Sequence, residues 1–197
     1  MTAKQNKNEV SDFFPVLDKY DMSNIKIEDK GLERYINLES KDFFLGAPNA
    51  NKLFGKSKVS IIERFINNLM RTEVYSGKKT KSYKAVKGAF AIIEKRTKDN
   101  PVQSFVDALQ NAAPKEETTR LRFGGILVPK AVDIAPQRRL DIAIRNICQG
   151  AINVSHKNKK SIESCIADEI IKASKNDPAS FSIAKKNDLE RVARSAR

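Results

Sequence analysis

Downstream of residue 56 the apolar residues recur at helical spacing. Between Val59 and Val74, the residues Ile61, Ile62, Phe65, Ile66, Leu69, Met70 and Val74 share one face of a 3.6-residue period, which predicts a helix that Gly77 ends. Tyr83, Val86, Phe90 and Ile93 repeat at threes and fours and predict a second helix over residues 82–97. Asn100-Pro101 marks the next boundary, since proline suits the first helical position, where its missing N–H would be unpaired anyway. A third helix then carries Val102, Phe105, Val106 and Leu109 as far as Asn111 and Pro114. After Pro136 the pattern resumes with Leu140, Ala143, Ile144, Ile147, Cys148 and Ala151. Ser161 is placed to cap a helix over 162–174 with Ile166, Ile170 and Ile171 inward. Asn187 followed by Glu190 has capping-box spacing and predicts a short last helix, LERVARSAR.

One stretch breaks the helical period. Residues 118–135 alternate in places around Gly124-Gly125, a pair that supplies the positive φ angles of a tight hairpin turn. Pro129 is tolerated only on an edge strand, which suits a two-stranded ribbon with no further sheet beside it. Upstream of residue 57 the texture differs: Pro15, Gly31, Gly46, Pro48 and Gly55 punctuate short apolar pieces such as Phe13-Phe14 and Tyr35-Ile36. That reads as an extended arm with little helix, which wraps something instead of forming its own core. The expected fold is therefore mainly α, in two parts. Residues 1–56 form an extended N-terminal arm, and residues 57–197 form a bundle of about six helices with one protruding β-ribbon near 118–135.

Charge changes the picture. The 197 residues hold 37 Lys plus Arg against 24 Asp plus Glu, a formal net charge of +13. Residues 1–60 carry 10 basic and 9 acidic side chains; residues 61–197 carry 27 and 15, so almost all the excess lies in the helical part. Lys78, Lys79, Lys81, Lys84 and Lys87 span a loop and a helix start with no acid between Glu73 and Glu94. Cations at a helix N-terminus oppose its dipole, an arrangement that phosphate would reverse. Further clusters are Arg138, Arg139 and Arg145; Lys157, Lys159 and Lys160; and Lys185, Lys186, Arg191, Arg194 and Arg197. The hairpin adds Arg120, Arg122 and Lys130, with Phe123 available to stack on an unpaired base. A single lysine run reads first as a solvated face. Four runs and a basic ribbon, with this net charge, favour a nucleic-acid partner. Arg138, Arg139 and the hairpin arginines suit planar, bidentate phosphate contact.

Catalytic and metal-binding patterns are missing. His156 is the one histidine and stands beside lysines, with no nucleophile or carboxylate spaced to partner it. Cys148 and Cys165 fall on inward helix faces, where packing is the default role, and two Cys with one His make a poor zinc set. Gly124-Gly125 belongs to no phosphate-cradling motif, and Glu116-Glu117 and Asp168-Glu169 are adjacent acids that point apart on a helix. No disulfide framework, apolar signal core or run of about 20 apolar residues is present. The expectation is a basic protein with no catalytic site, cofactor, metal, small-molecule substrate or membrane partner.

The runs TRLRFGG and AVDIAPQRRLDIAIRNICQGA, then KNKKSIESCIADEIIKAS and the ending AKKNDLERVARSAR, resemble a known family. They are similar to the universal small-subunit ribosomal proteins numbered seven in the bacterial series and five in the cytosolic eukaryotic series, in the eukaryotic–archaeal branch. KLFGK, VSIIERFINNLM and the stretch from SGKKTKSYKAVKGAF to PKEETTR fit in order and spacing, so the likeness covers about residues 50–197. It implies a structural protein that binds the 3′ major domain of small-subunit rRNA and nucleates assembly of the subunit head. Its partners would be rRNA, neighbouring head proteins and, at the ribbon, exiting mRNA and exit-site tRNA. The rRNA-facing groups would be Lys78, Lys79, Lys81, Lys84, Arg138, Arg139, Arg145, Lys157, Lys159, Lys160, Lys185, Lys186, Arg191, Arg194 and Arg197. The ribbon groups near mRNA and tRNA would be Arg120, Arg122, Phe123, Gly124, Gly125 and Lys130. The location would be the cytoplasmic small subunit, with assembly starting in the nucleolus in a eukaryote. The chain departs from cytosolic relatives at Ile126-Leu127-Val128-Pro129-Lys130, where those carry several arginines. The competing reading is a helical-bundle DNA-binding regulator with a β-ribbon reader, which would gather its cations on one recognition helix.

Overall fold

The computed structural model describes residue 20 and residues 24–38, 51–72 and 75–197. It is mainly helical with one antiparallel hairpin. A single turn, α1 (Lys30–Glu33), and a 3-10 turn (Gly55–Lys58) precede six longer helices: α2 (Ile61–Leu69), α3 (Lys79–Thr97), α4 (Pro101–Ala112), α5 (Pro136–Ser155), α6 (Ile162–Ser174) and α7 (Phe181–Ser195). Strands β1 (Glu116–Phe123) and β2 (Ile126–Asp133) form the ribbon between α4 and α5.

The apolar stripes meet where their periodicity predicts. Phe65 of α2, Phe90 of α3 and Phe105 of α4 are fully buried, with ring centroids 5.0 Å apart for Phe65–Phe105 and 5.9 Å for Phe90–Phe105. Burying each ring is worth roughly 1.5–3 kcal/mol. Helix α6 is the axial element: Cys165, Ile166, Ala167, Ile170 and Ala173 are buried against α3, α4 and α5. Residues upstream of 57 contribute as well. Leu32 and Ile36 belong to the same core cluster, and residues 24–29 run along α4 as a strap. Glutamine side chains of α4 serve the strap as surrogate strand partners. Gln103 accepts from Lys26 N at 2.9 Å and donates to its carbonyl at 3.0 Å, and Gln110 accepts from Glu28 N and Asp29 N. Phe13, Phe14, Pro15, Gly46 and Pro48 lie outside the described residues.

The hairpin closes on Gly124 and Gly125, both at positive φ (+55° and +93°), with Phe123 opposite Ile126. Counting outward from that pair, Pro129 opposite Arg120 falls at a position whose N–H faces away from the partner strand, so the ladder loses nothing. The same parity turns the Ala131 N–H outward, and the carbonyl of Ala196 takes it at 3.1 Å. The chain's end thus covers the edge of β2.

Three helix boundaries differ from the periodic reading. Helix α2 is shorter: the Thr72 hydroxyl donates to the Leu69 carbonyl just past its end, and Val74 lies outside the described residues. Helix α3 begins at Lys79, three residues before Ser82. Helix α7 starts at Phe181, well before Asn187. The reason is local: Ser180 Oγ accepts from Ile183 N, and the buried Glu169 carboxylate accepts from Ser182 N at 2.9 Å and from the hydroxyls of Ser180 and Ser182. Those acceptors satisfy the first orphan N–H groups. Glu190 sits mid-helix and instead accepts from Lys115 N at the root of the ribbon.

Close packing at that capped end gives a paired prediction. A Cβ at Gly150 would lie 2.9 Å from Phe181 Cβ and 3.0 Å from the Glu169 carboxyl carbon, both held in place. One at Gly88 would meet only the carboxylate of Glu163, the end of a side chain able to swing aside. Chemical denaturation should find Gly150→Ala destabilised despite the better helix former, and Gly88→Ala unchanged or stabilised by up to about 1 kcal/mol. Equal effects would mean that the α5–α7 contact is not tight.

Candidate nucleic-acid interface

The basic residues divide into those held by carboxylates and those that are not. Lys79 donates to Glu63 Oε1 at 2.6 Å; the Glu63 side chain is 3% exposed and that of Lys79 14%. Arg138 grips Glu117 with two hydrogen bonds of 2.8 and 2.9 Å, joining α5 to the ribbon, and Glu117 raises its pKa. Arg139 is 11% exposed and bridges two elements, donating to Asp29 at 2.8 Å and to the Pro114 carbonyl at 3.1 Å. Burial alone would push the Asp29 carboxyl up. The Arg139 hydrogen bond, the Gly31 N–H and the arginine's charge outweigh that and hold it below the ordinary value. Its contribution to stability is present above that value and is lost as pH falls through the lowered pKa. Arg197 pairs with Glu116, and Arg191 with Asp188 at 2.8 Å. Asp141 holds both Arg64 and Lys56.

The second set has no ion pair among the described residues. Lys84 and Lys87 are exposed on α3, and Lys81 lies over the Tyr75 ring, 4.9 Å from its centroid. Arg145 is exposed one turn beyond Asp141, whose oxygens are already taken. Lys157, Lys159 and Lys160 are all exposed in the α5–α6 loop, where Lys157 adopts a left-handed φ of +55°. On α7, Lys185 lies over the Phe181 ring and Arg194 is exposed. Lys186 is half-buried, and burial together with Lys115 and Arg139 lowers its pKa against the opposing pull of Glu190.

The ribbon is two-faced. Its register puts Arg120 and Arg122 on one face with Pro129 and Leu127, and Leu121, Phe123, Ile126 and Val128 on the other with Lys130. Phe123 is 64% and Ile126 71% exposed, so an apolar patch stands at the tip beside the Gly124-Gly125 turn.

Helix ends sharpen the contrast. Asn100, Ser161 and Ser180 cap α4, α6 and α7 with side-chain oxygens. Helices α3 and α5 have neither a side-chain cap nor an acid in the first turn, and they open at Lys78 and just before Arg138. An uncapped helix N-terminus attracts anions through its N–H groups and its dipole. Neither this feature nor Arg71, exposed just past α2, was visible to a same-helix charge count. Such a count also misses the partners that remove Lys79 and Arg139 from solvent, because Glu63 and Asp29 lie 16 and 110 residues away in sequence.

No reaction centre is assembled among the described residues. Cys148 is buried and unprotonated only with difficulty, since burial pushes its thiol far up; burial also raises Cys165. His156 is exposed, and no group of three or more potential metal ligands occurs among the described residues. No described helix is long and apolar enough to cross a membrane. Fold and surface define a basic nucleic-acid-binding scaffold. Comparison with known proteins makes this specific. The chain belongs to the family described as Ribosomal protein S7p/S5e, whose profile matches residues 36–197. Proteins named small ribosomal subunit protein uS7 are similar over almost their whole length. That of Picrophilus torridus is 52% identical across 92% of this chain and 98% of its own. Those of Methanothermobacter thermautotrophicus and Archaeoglobus fulgidus are 52% and 53% identical across 92% of this chain, and 98% and 94% of theirs. As a ribosomal protein of this family, the chain is structural and non-enzymatic.

The division between paired and unpaired cations is measurable. Glu63 Oε2 has no hydrogen-bond partner, so removing Lys79 leaves a buried carboxylate uncompensated. Lys79→Met should cost on the order of 3 kcal/mol in thermal or chemical unfolding. Lys84→Met, at an exposed site, should stay within about 0.5 kcal/mol of wild type. Equal stability of the two variants would contradict the structural role of Lys79.

Proposed function

We propose that this small-subunit ribosomal protein binds the 3′ major domain of the small-subunit rRNA, nucleates head assembly and holds its ribbon near exiting mRNA and the exit-site tRNA. The observation that carries the reading is the distribution of unpaired cations. They occur on α3, in the α5–α6 loop, on α7 and along the ribbon, and the uncapped starts of α3 and α5 open at two of the basic clusters. Folded RNA that wraps the protein meets cations spread in this way, whereas a DNA regulator would concentrate them on one element in a groove. Phosphate contact supplies affinity without sequence preference, so Lys81, Lys84, Arg145, Lys157, Lys159, Lys160, Lys185 and Arg194 position the protein. Arg139 and Lys79, buried against Asp29 and Glu63, act chiefly by bracing the elements that carry these groups, while Arg138, Arg191 and Arg197 keep largely exposed guanidinium groups for rRNA. At the ribbon tip, Phe123 offers a stacking face and Arg120 and Arg122 offer phosphate contacts. The protein works in the cytoplasmic small subunit; its archaeal relatives lend no support to a nucleolar stage.

Sedimentation tests this reading. A tagged wild-type chain should travel with small-subunit particles through a gradient at high salt. The variant carrying Lys157→Glu, Lys159→Glu and Lys160→Glu should melt like wild type yet remain at the top. Incorporation of that variant would remove the loop from the interface. A wild-type chain that leaves the particles and prefers duplex DNA would favour the regulator.

A further inference from the structure

Between the end of α2 and the middle of α5 lies a half-open groove of about 310 Å³, lined by Asn68, Arg71, Thr72, Arg145, Cys148, Gln149, Ile152 and Asn153. No carboxylate among the described residues lines it. The only acids on α2 and α5 are Glu63, which holds Lys79, and Asp141, which holds Arg64 and Lys56. Arg71 and Arg145 are both exposed and have no ion pair among the described residues. Three amides share the rim. Asn68 donates its N–H to the Arg64 carbonyl at 3.1 Å and keeps its own oxygen as an acceptor, while Gln149 and Asn153 are exposed with both amide functions available among the described residues. Below them, Cys148 is buried with its thiol toward the Phe65 carbonyl, and Ile152 is half-buried, so the floor is apolar.

We infer that this groove takes one unpaired nucleotide of structured RNA, with its phosphate on Arg71 and Arg145 and its base edge on the amides. Each part of the lining matches one part of that ligand. Two guanidinium forks with no competing acid among the described residues suit a phosphodiester, which they contact in bidentate fashion. Asn and Gln side chains offer a donor and an acceptor together, the pattern that reads a base edge, and unstacked bases expose those edges in RNA loops and bulges. The apolar floor receives the face of the base. A volume near the lower end of the roughly 300–1,000 Å³ range of ligand pockets fits one nucleotide and excludes a helix. A paired stem offers phosphates to the arginines, but its base edges are engaged in pairing and leave little for the amides. The groove therefore separates general phosphate affinity from recognition of a single flipped base. This inference rests on the RNA-binding reading and deepens it.

The test uses the full chain with three RNA probes: a 24-nucleotide stem-loop, the same stem with one bulged adenosine, and a transcript of an archaeal small-subunit rRNA 3′ domain. Wild type should bind the bulged stem about tenfold more tightly than the unbulged one. Gln149→Ala with Asn153→Ala should abolish that preference and leave affinity for the unbulged stem unchanged. Arg71→Ala with Arg145→Ala should weaken binding to both stems and reduce the salt dependence by about one unit of slope per cation removed. All four side chains stand on the rim, so thermal melts of the variants should match wild type and exclude unfolding as the cause. Equal wild-type affinity for the two stems, or a preference that survives loss of both amides, overturns the nucleotide site. If wild type fails to bind the 3′-domain transcript, the proposed function falls and the groove with it. If wild type binds it and both double variants bind it equally well, only the groove falls.

Discussion

Twenty-four carboxylates share one chain with thirty-seven cations, and where those carboxylates stand decides both how the helices are held and what the surface can bind. Several of the acids sit at joints between elements. Glu63 ties α2 to α3 through Lys79, Asp141 draws Arg64 and Lys56 onto α5, Asp29 anchors the strap to Arg139, and Glu117 and Glu116 fasten the ribbon to Arg138 and Arg197. Glu169 has no cation in its place and neutralises the start of α7 with serine hydroxyls and backbone N–H groups. With these acids held at joints, the α5–α6 loop and the first half of α3 present cations with no acid beside them in sequence.

Such a surface repels itself, and the repulsion is relieved by a polyanion. The uncapped starts of α3 and α5 belong to the same economy. A serine or asparagine there would satisfy the orphan N–H groups internally, as Asn100, Ser161 and Ser180 do elsewhere. At α3 and α5 the cap residues, Lys78 and Ala135, make no such side-chain bond, and lysines and arginines stand beside both helix starts. Rigid packing of the three phenylalanines and the axial α6 means that the bundle presents these groups in fixed relation to one another, so an RNA must match their spacing as well as their charge.

The helical period was enough to read the bundle and most of its core. Phe65, Phe90, Phe105, Leu140, Ile144 and Ile166 are buried as their spacing requires, and Gly124-Gly125 located the hairpin turn to the residue. Boundaries failed where side chains distant in sequence supply the cap: Glu169 and Ser180 start α7 six residues before the Asn187 that local spacing favours. The interface was half legible. Lysines in loops, such as Lys157, Lys159 and Lys160, are exposed as their surroundings suggest. Arg139 and Lys79 belong equally to basic runs, but their partners come from elements far along the chain, which no reading of neighbouring residues can find. Arg71 went unnoticed because an isolated arginine after a helix acquires meaning only beside Arg145 across a groove.

The central claim is that the paired cations build this protein and the unpaired ones hold RNA. Amine footprinting tests it most directly: brief acetylation of the isolated chain and of the same chain within assembled small subunits, with each lysine quantified by mass spectrometry. The account predicts that Lys84, Lys157, Lys159 and Lys160 react readily in the isolated protein and become protected on assembly, while Lys79 reacts slowly in both. Undiminished reactivity of the α5–α6 loop lysines within the particle, or a Lys79 as reactive as Lys84 in the free protein, would contradict it.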